Sequence, residues 1–219
     1  MISKELLRQL VSLAAALFLL TSFALLAQRH MQAMLRWFAV QGVLLAMTTT
    51  LVAYAAGVPD LYISAVLALV LKGILMPWFL WRIVVRLGVN REVEPMVNIF
   101  ITMLMGAGLV LFAFYVSLPI QEMAFPLTRN IIAIALACVL IAMLIMITRR
   151  KAITQVVGYL SMENALFFAA TSATYGMPLV VEIGIAFDIL IAVLIFGLFF
   201  FQIRKTFDSL DLKHMEVEQ

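Results

Sequence analysis

The sequence predicts an all-α protein, a polytopic bundle of about seven transmembrane helices. Of its 219 residues, 65% are hydrophobic and 12% are charged, and the mean hydropathy is +1.12. A soluble domain of this length cannot bury so much apolar surface in one core. The apolar runs are continuous over about 20 residues and do not alternate with a period of two, which is typical of membrane helices and not of barrel strands.

Seven apolar runs are long enough to cross a bilayer, and charged residues and prolines separate them. The predicted spans are 7–28, 36–56, 60–84, 96–118, 129–148, 154–175 and 179–203. The connections between them are too short to hold a soluble domain. We therefore expect all of the chemistry of the chain in the membrane or at its surface.

The distribution of basic residues predicts the orientation of the chain. With seven spans, one side of the membrane carries Arg29, Arg36, Arg82, Arg86, Arg91, Arg149, Arg150, Lys151, Arg204, Lys205 and Lys213. The other side carries only Lys4, Arg8 and Arg129. The positive-inside rule then places the C-terminus in the cytoplasm and the N-terminus outside a bacterial or archaeal cytoplasmic (inner) membrane. Six or eight spans would scatter these residues over both sides.

The first apolar run has a second interpretation, a cleaved signal peptide, because Lys4 and Arg8 precede its apolar core. That core is longer than the usual apolar region of a signal peptide, and no small-residue cleavage site stands before Arg29. We therefore interpret the run as a span.

A weak internal similarity predicts two related halves. The segment WFAVQGVLL at 37–45 resembles YLSMENALF at 159–167, and 57–72 runs parallel to 176–191. This predicts a parallel repeat with a three-helix unit at 1–88, a connecting span at 89–125, and a second three-helix unit with a short cytoplasmic tail at 126–219. Chance similarity between apolar segments is the alternative.

Three charged residues lie near the middle of apolar runs: Lys72, Glu163 and Asp188. A charge at the bilayer centre costs between ~2.5 and more than ~10 kcal/mol, so each needs a partner, water or a neutral form. Glu163 is about nine residues, or ~13 Å, inside its span, too deep to reach the interface. Pro77 cannot donate to the carbonyl of Gly73, which predicts a kink or internal water beside Lys72. The pattern favours a proton path over structural ion pairs.

Further polar residues extend this set. Glu182 lies about one turn inside its span, where a helix N-terminus tolerates an anion, so an entry site and a plain interfacial role are equally consistent with it. Gln41, Tyr159 and Asn164 are supporting candidates for a hydrogen-bonded chain. Amides and hydroxyls also commonly join transmembrane helices, and that alternative stays open.

The sequence offers no residue set for a cofactor. Its single cysteine, Cys138, lies in an apolar run, and His30 and His214 have no neighbours at metal or haem spacing. We expect no metal, no redox centre and no catalytic residue in this chain. Redox chemistry, if the protein takes part in it, would belong to a partner.

The segments GYLSMENALFF and VVEIGIAFDILIAVLIFGLFF, with the tail FDSLDLKHM, resemble the E component of the membrane arm of hydrogenase-4, the formate hydrogenlyase type of complex. The resemblance covers essentially the whole chain, including QGVLL and ALVLKGILMPW. Spans five to seven are also similar to the K subunit of respiratory complex I, whose second and third helices each carry a buried glutamate. Glu163 matches the first of these acids; Asp188 best matches the second, with Glu182 as a competing candidate.

The resemblance implies a non-catalytic membrane-arm subunit of an oxidoreductase complex, without a metal of its own. Its expected partners are antiporter-like membrane subunits and a peripheral [NiFe]-hydrogenase-like or iron–sulfur arm. Lys72, Glu163 and Asp188 would then form this chain's share of a line of acidic and basic residues that couples redox work to proton movement. Two alternatives stay open: a small subunit of a multisubunit cation/proton antiporter, and a non-conducting scaffold.

Overall fold

Helices make up nearly all of the chain that the computed structural model describes, residues 4–86, 97–123 and 129–173. The helices are α1 (Lys4–Ala27), α2 (Met31–Ala56), α3 (Asp60–Ala68), α4 (Met76–Arg86), α5 (Ile99–Met123), α6 (Arg129–Thr148) and α7 (Ala152–Ala173), with a π-helical segment, Leu69–Leu75, between α3 and α4. All of these residues belong to one compact unit. The predicted all-α class is confirmed.

Five segments among the described residues are long and apolar enough to cross a membrane. They are Glu5–Ala27, Met31–Ala56, Asp60–Val85, Ile99–Leu118 and Ile131–Thr148. Helix α7 covers most of the predicted sixth span and is 22 residues long, but its polar residues keep it out of this set. The predicted seventh span, 179–203, lies outside the described residues, so the count of seven stays a prediction.

Helix α2 is central to the described part of the bundle. It packs against α1, α3, the π-helical segment, α4 and α7, while α6 packs against α1, α5 and α7. The rings of Phe18 and Phe168 stack with their centroids 4.9 Å apart and join α1 to α7. In contrast, much of the surface of α5 is exposed; Phe100 is 76% and Tyr115 74% exposed. Such a surface suits contact with lipid or with another subunit.

A sharp reversal after α2 brings α3 back along it. Gly57 ends α2 with a φ of 68°, in the left-handed region that favours glycine, and its N–H donates to the carbonyl of Ala53 at 2.9 Å. Pro59 precedes the first residue of α3. The two helices therefore run antiparallel as direct neighbours, which carries Lys72 back towards the middle of α2.

The π-helical segment has a local cause in the sequence. Pro77 has no N–H, and in a regular α-helix its ring would crowd the carbonyl of Gly73 four residues earlier. The structure widens this turn instead, and the N–H of Met76 donates to the carbonyl of Leu71, five residues earlier. Single π turns inside α-helices occur frequently at functional sites. This one contains Lys72.

Candidate functional site

The most distinctive feature of the bundle is a buried ion pair. The Nζ atom of Lys72 lies 3.2 Å from Oε1 of Glu163, and the two side chains are 3% and 10% exposed. One residue comes from the π-helical segment and the other from α7. The two charges that sequence patterning identified separately therefore meet in the apolar interior.

The ring of Phe167 completes the surroundings of the ammonium group. Nζ of Lys72 lies 5.1 Å from the centroid of this ring, close enough for a cation–π contact. Phe167 follows Glu163 by one helical turn, so both side chains lie on the same face of α7. That face presents a carboxylate and the face of an aromatic ring to the same cation.

A close backbone crossing places Lys72 against α2. A Cβ atom on Gly42 would lie 2.6 Å from both the carbonyl carbon and the carbonyl oxygen of Lys72, and 2.8 Å from the nitrogen of Gly73. These distances are shorter than side-chain contacts permit, so only glycine fits at position 42. On the other side of the crossing, a Cβ atom on Gly73 would lie 3.4 Å from the side chain of Val43. Gly42 therefore allows α2 and the π-helical segment to approach closely beside Lys72.

A chain of buried polar groups lies beside the ion pair. The amide nitrogen of Gln41 donates to the hydroxyl of Ser22 at 3.1 Å, and the amide nitrogen of Asn164 donates to Oε1 of Gln41 at 3.4 Å. The hydroxyl of Ser22 donates in turn to the carbonyl of Phe18 at 3.2 Å. Gln41 and Ser22 are 0% exposed and Asn164 is 1% exposed. The chain joins α1, α2 and α7, and Asn164 directly follows Glu163.

The energetics of the ion pair show why its two members depend on each other. Desolvating two charges costs several kcal/mol per ion, and their attraction offsets this only with good geometry and further polar contacts. Removing one member of such a pair typically costs about 3–5 kcal/mol, because a charge is left buried. A proton that arrives on Glu163 would have the same electrostatic effect as removing its charge. The ion pair is therefore stabilising only while both of its groups are charged.

The structure brings together four of the residues predicted from sequence. Lys72 and Glu163 form the ion pair, and Gln41 and Asn164 form the polar chain that runs next to it. Their assignment to a proton path stays a prediction. Tyr159 precedes Glu163 by one turn of α7, so it lies on the same face of the helix and near the Glu163 carboxylate. It is partly exposed, and no hydrogen bond within the described residues joins it to the polar chain.

The two remaining acidic candidates, Asp188 and Glu182, lie outside the described residues. Within the described ranges, no group of three or more histidine, cysteine, aspartate or glutamate residues is placed to hold a metal ion. In the described part of the chain, the candidate site therefore consists of one carboxylate, one ammonium group and neutral polar side chains.

Sequence reasoning missed Ser22 and Gly42. Serine is a frequent contact residue between membrane helices, so Ser22 carries no signal by itself. Gly42 does carry one, because it directly follows Gln41 and a glycine inside a span often marks a close helix contact. The crossing partner, however, is the π-helical segment, where the sequence predicted only a kink or internal water.

Arg149 is the largest departure from the sequence analysis, which placed it in a basic connection. It is 1% exposed, and its Nη2 donates to the carbonyl of Leu26 at the end of α1, at 2.6 Å. Its Nε and Nη1 have no hydrogen-bond partner in the described part of the chain. Burial lowers the pKa of the Arg149 guanidinium, which stays charged because its ordinary pKa is so high. The residue joins the ends of α1 and α6.

Arg149→Ala is expected to destabilise the protein by about 2 kcal/mol, because the charge-assisted hydrogen bond to Leu26 and the packing of a large buried side chain are both lost. Thermal unfolding of the detergent-solubilised protein should show a midpoint lowered by roughly 5 °C. The neighbouring Arg150 is exposed, and Arg150→Ala is the matched control, with almost no expected effect. Equal shifts for the two variants would contradict the structural role of Arg149.

The fold and this site define a helical, polytopic membrane protein with an ion pair in its interior. The chain belongs to the same family as the uncharacterized protein Rv0085 of Mycobacterium tuberculosis, with which it is 34% identical over 204 residues, 93% of each chain. It is also similar to hydrogenase-4 component E of Escherichia coli and of Shigella flexneri, at 24% identity over 206 residues, 94% of this chain and 95% of each relative. No protein-family model and no solved structure matches the chain.

Proposed function

We propose that the protein is a membrane subunit of a hydrogenase-like, multisubunit complex, and that the ion pair between Lys72 and Glu163 is part of its proton-coupling path. Two independent observations support this. The similarity to hydrogenase-4 component E extends over nearly the full length of both chains. The ion pair supplies one acidic and one basic group in the buried interior of the helical bundle, the kind of groups that a proton path through a membrane needs. The second observation carries the proposal.

The mechanism follows from the geometry of the pair. In the resting state, the carboxylate of Glu163 and the ammonium of Lys72 neutralise each other at 3.2 Å. A proton that reaches Glu163 neutralises the carboxylate and leaves the positive charge of Lys72 in surroundings of low dielectric. That charge favours release of a proton from the next site along the path. Restoration of the pair, when Glu163 loses its proton, resets the site.

In the predicted two-unit organisation, the ion pair joins the two units. Lys72 belongs to the first predicted unit, 1–88, and Glu163 to the second, 126–219. The ion pair would then lie between the two repeats, with Asp188 as the next acid in the second unit and Glu182 nearer the surface. In this proposal the N-terminus is outside, the C-terminus is in the cytoplasm, and basic connections face the peripheral arm.

The polar chain of Ser22, Gln41 and Asn164 has a supporting role in this proposal. Amide and hydroxyl groups in apolar surroundings fix the neighbouring helices in one register. Because Asn164 follows Glu163 and Gln41 precedes Gly42, the chain fixes both sides of the crossing that carries the ion pair. It positions the titratable groups.

Membership of a complex is tested by affinity purification from a mild detergent, with mass spectrometry of the proteins that elute at fixed stoichiometry. We expect antiporter-like membrane subunits together with a [NiFe]-hydrogenase-like or iron–sulfur arm. Recovery of antiporter-like subunits without a redox arm would favour the alternative, a cation/proton antiporter. Recovery of the protein alone would contradict complex membership under either reading. A tagged, unrelated membrane protein of similar abundance is the control for non-specific recovery.

A further inference from the structure

A groove lies between the first turns of α2 and the first turns of α4, away from the ion pair. Its volume is about 420 Å³, and it is lined by Gln32, Leu35, Arg36, Ala39, Pro77, Trp78 and Trp81. The two tryptophans are 51% and 47% exposed, and Arg36 is exposed. The groove is therefore an accessible feature of the described surface.

The position of the groove along the membrane normal follows from the helix rise. Arg82 lies ten residues after Lys72 in the same membrane-crossing segment, or ~15 Å at 1.5 Å per residue. This is about half the thickness of the hydrocarbon core. With the ion pair near the midplane, the lining residues Pro77 to Trp81 lie ~8–14 Å from its level by the same rise, so the groove extends from the acyl chains towards Arg82 at the headgroup boundary, the level at which tryptophan and arginine concentrate.

The chemistry of the lining is that of a cationic, half-apolar site. The guanidinium of Arg82 lies 5.4 Å from the centroid of the Trp78 ring, which holds it beside the groove. Arg36 supplies a second guanidinium from α2, and Gln32 supplies an amide. None of the described residues that line the groove is acidic. Leu35, Ala39 and the tryptophan rings form the apolar part.

We propose that this groove binds one anionic phospholipid, such as phosphatidylglycerol or cardiolipin. The phosphate lies between the guanidinium groups of Arg36 and Arg82, and the first part of an acyl chain lies along the apolar lining. Arginine binds phosphate oxygens through paired N–H donors, and basic pockets between membrane helices are suited to anionic headgroups. The apolar lining favours a lipid over free phosphate. This proposal requires only a membrane location, and does not rest on proton coupling.

The test uses the tryptophans of the groove as reporters. The protein has three tryptophans, so a Trp37→Phe variant restricts the fluorescence to Trp78 and Trp81. This full-length variant is placed in nanodiscs that contain brominated phosphatidylglycerol in one sample and brominated phosphatidylcholine, at the same mole fraction, in another. Bromine quenches tryptophan only at short range, so the ratio of quenching reports which lipid is enriched in the groove.

We expect the anionic lipid to be enriched at least about five-fold in the groove, because one basic residue near a membrane surface typically confers a preference of this size. Arg36→Gln and Arg82→Gln should each lower the enrichment, and the double variant should abolish it. Arg150→Gln, which removes an exposed arginine that does not line the groove, is the matched control and should leave it unchanged. Because Arg36 and Arg82 are exposed, these variants should fold.

Three results would overturn the proposal. One is equal quenching by the two lipids in the protein with both arginines present. Another is an enrichment that falls equally in Arg36→Gln and in Arg150→Gln, which would indicate general surface charge. In the purified complex, protection of Trp78 and Trp81 from both lipids would also overturn it, because a protein subunit would then cover the groove. Native mass spectrometry of the same variants, counting retained anionic lipids, is the second measurement.

Discussion

Glu163→Gln is expected to abolish redox-driven proton uptake by the complex. The substitution keeps the shape of the side chain and its ability to accept a hydrogen bond, but removes the charge that neutralises Lys72 at 3.2 Å and the proton that Glu163 would carry. Proton uptake by proteoliposomes that contain the purified complex should fall by more than about ten-fold. Electron transfer through the peripheral arm, measured with an uncoupler present, should be largely retained.

The matched control for this substitution is Glu5→Gln. Glu5 is an exposed acid in the first turn of α1, so the same chemical change there removes a solvated charge. We expect proton uptake to be unaffected by it. If Glu163→Gln supports proton uptake at the level of Glu5→Gln, the carboxylate has no role in coupling and the scaffold alternative is favoured.

Gly42→Ala is expected to have a large effect for so small a chemical change. Its new methyl group would lie 2.6 Å from the backbone carbonyl of Lys72, and backbone atoms cannot move aside as the end of a flexible side chain can. The π-helical segment would be displaced from α2, and the ion pair would lose its geometry. We expect a loss of about 2 kcal/mol or more in stability, together with reduced proton uptake.

Gly108→Ala tests this prediction with the same chemical change in another membrane helix. Gly108 lies in α5, and a Cβ atom there would have no neighbour within 4 Å among the described residues, apart from the adjacent residues and the backbone of its own helix. Alanine is the better helix former by about 1 kcal/mol, so Gly108→Ala should leave stability unchanged or raise it. Thermal unfolding of both variants in the same detergent makes the comparison. Similar losses for both would contradict the close crossing of α2 and the π-helical segment.

Hydropathy was sufficient to predict the helical membrane fold, because each spanning helix must satisfy its own backbone polar groups and so leaves a long apolar run in the sequence. The limits of α6, for instance, were predicted at 129–148 and are Arg129–Thr148. Hydropathy was a weaker guide to α7, because Gln155, Glu163 and Asn164 lower the mean hydropathy of this helix. The same residues are what make α7 informative about function.

The pairing of Lys72 with Glu163 could not be predicted from patterning, although both residues were identified as buried charges. They are 91 positions apart in the chain, and periodicity within a helix says nothing about which helix faces it. The burial of Arg149 was missed for a related reason, because it depends on the end of α1 and not on the local sequence alone. Pro77 did predict a distortion beside Lys72, and the structure has a π-helical segment there.

The central claim, that the ion pair moves charge and does not merely hold the helices together, is tested most directly by replacing both of its members. A Lys72→Met, Glu163→Met double variant removes both charges while filling similar volume, which commonly restores the stability lost in single variants. The complex should then assemble and unfold as the unmodified complex does, yet show no redox-driven proton uptake. Proton uptake at the unmodified level in this double variant would contradict the claim.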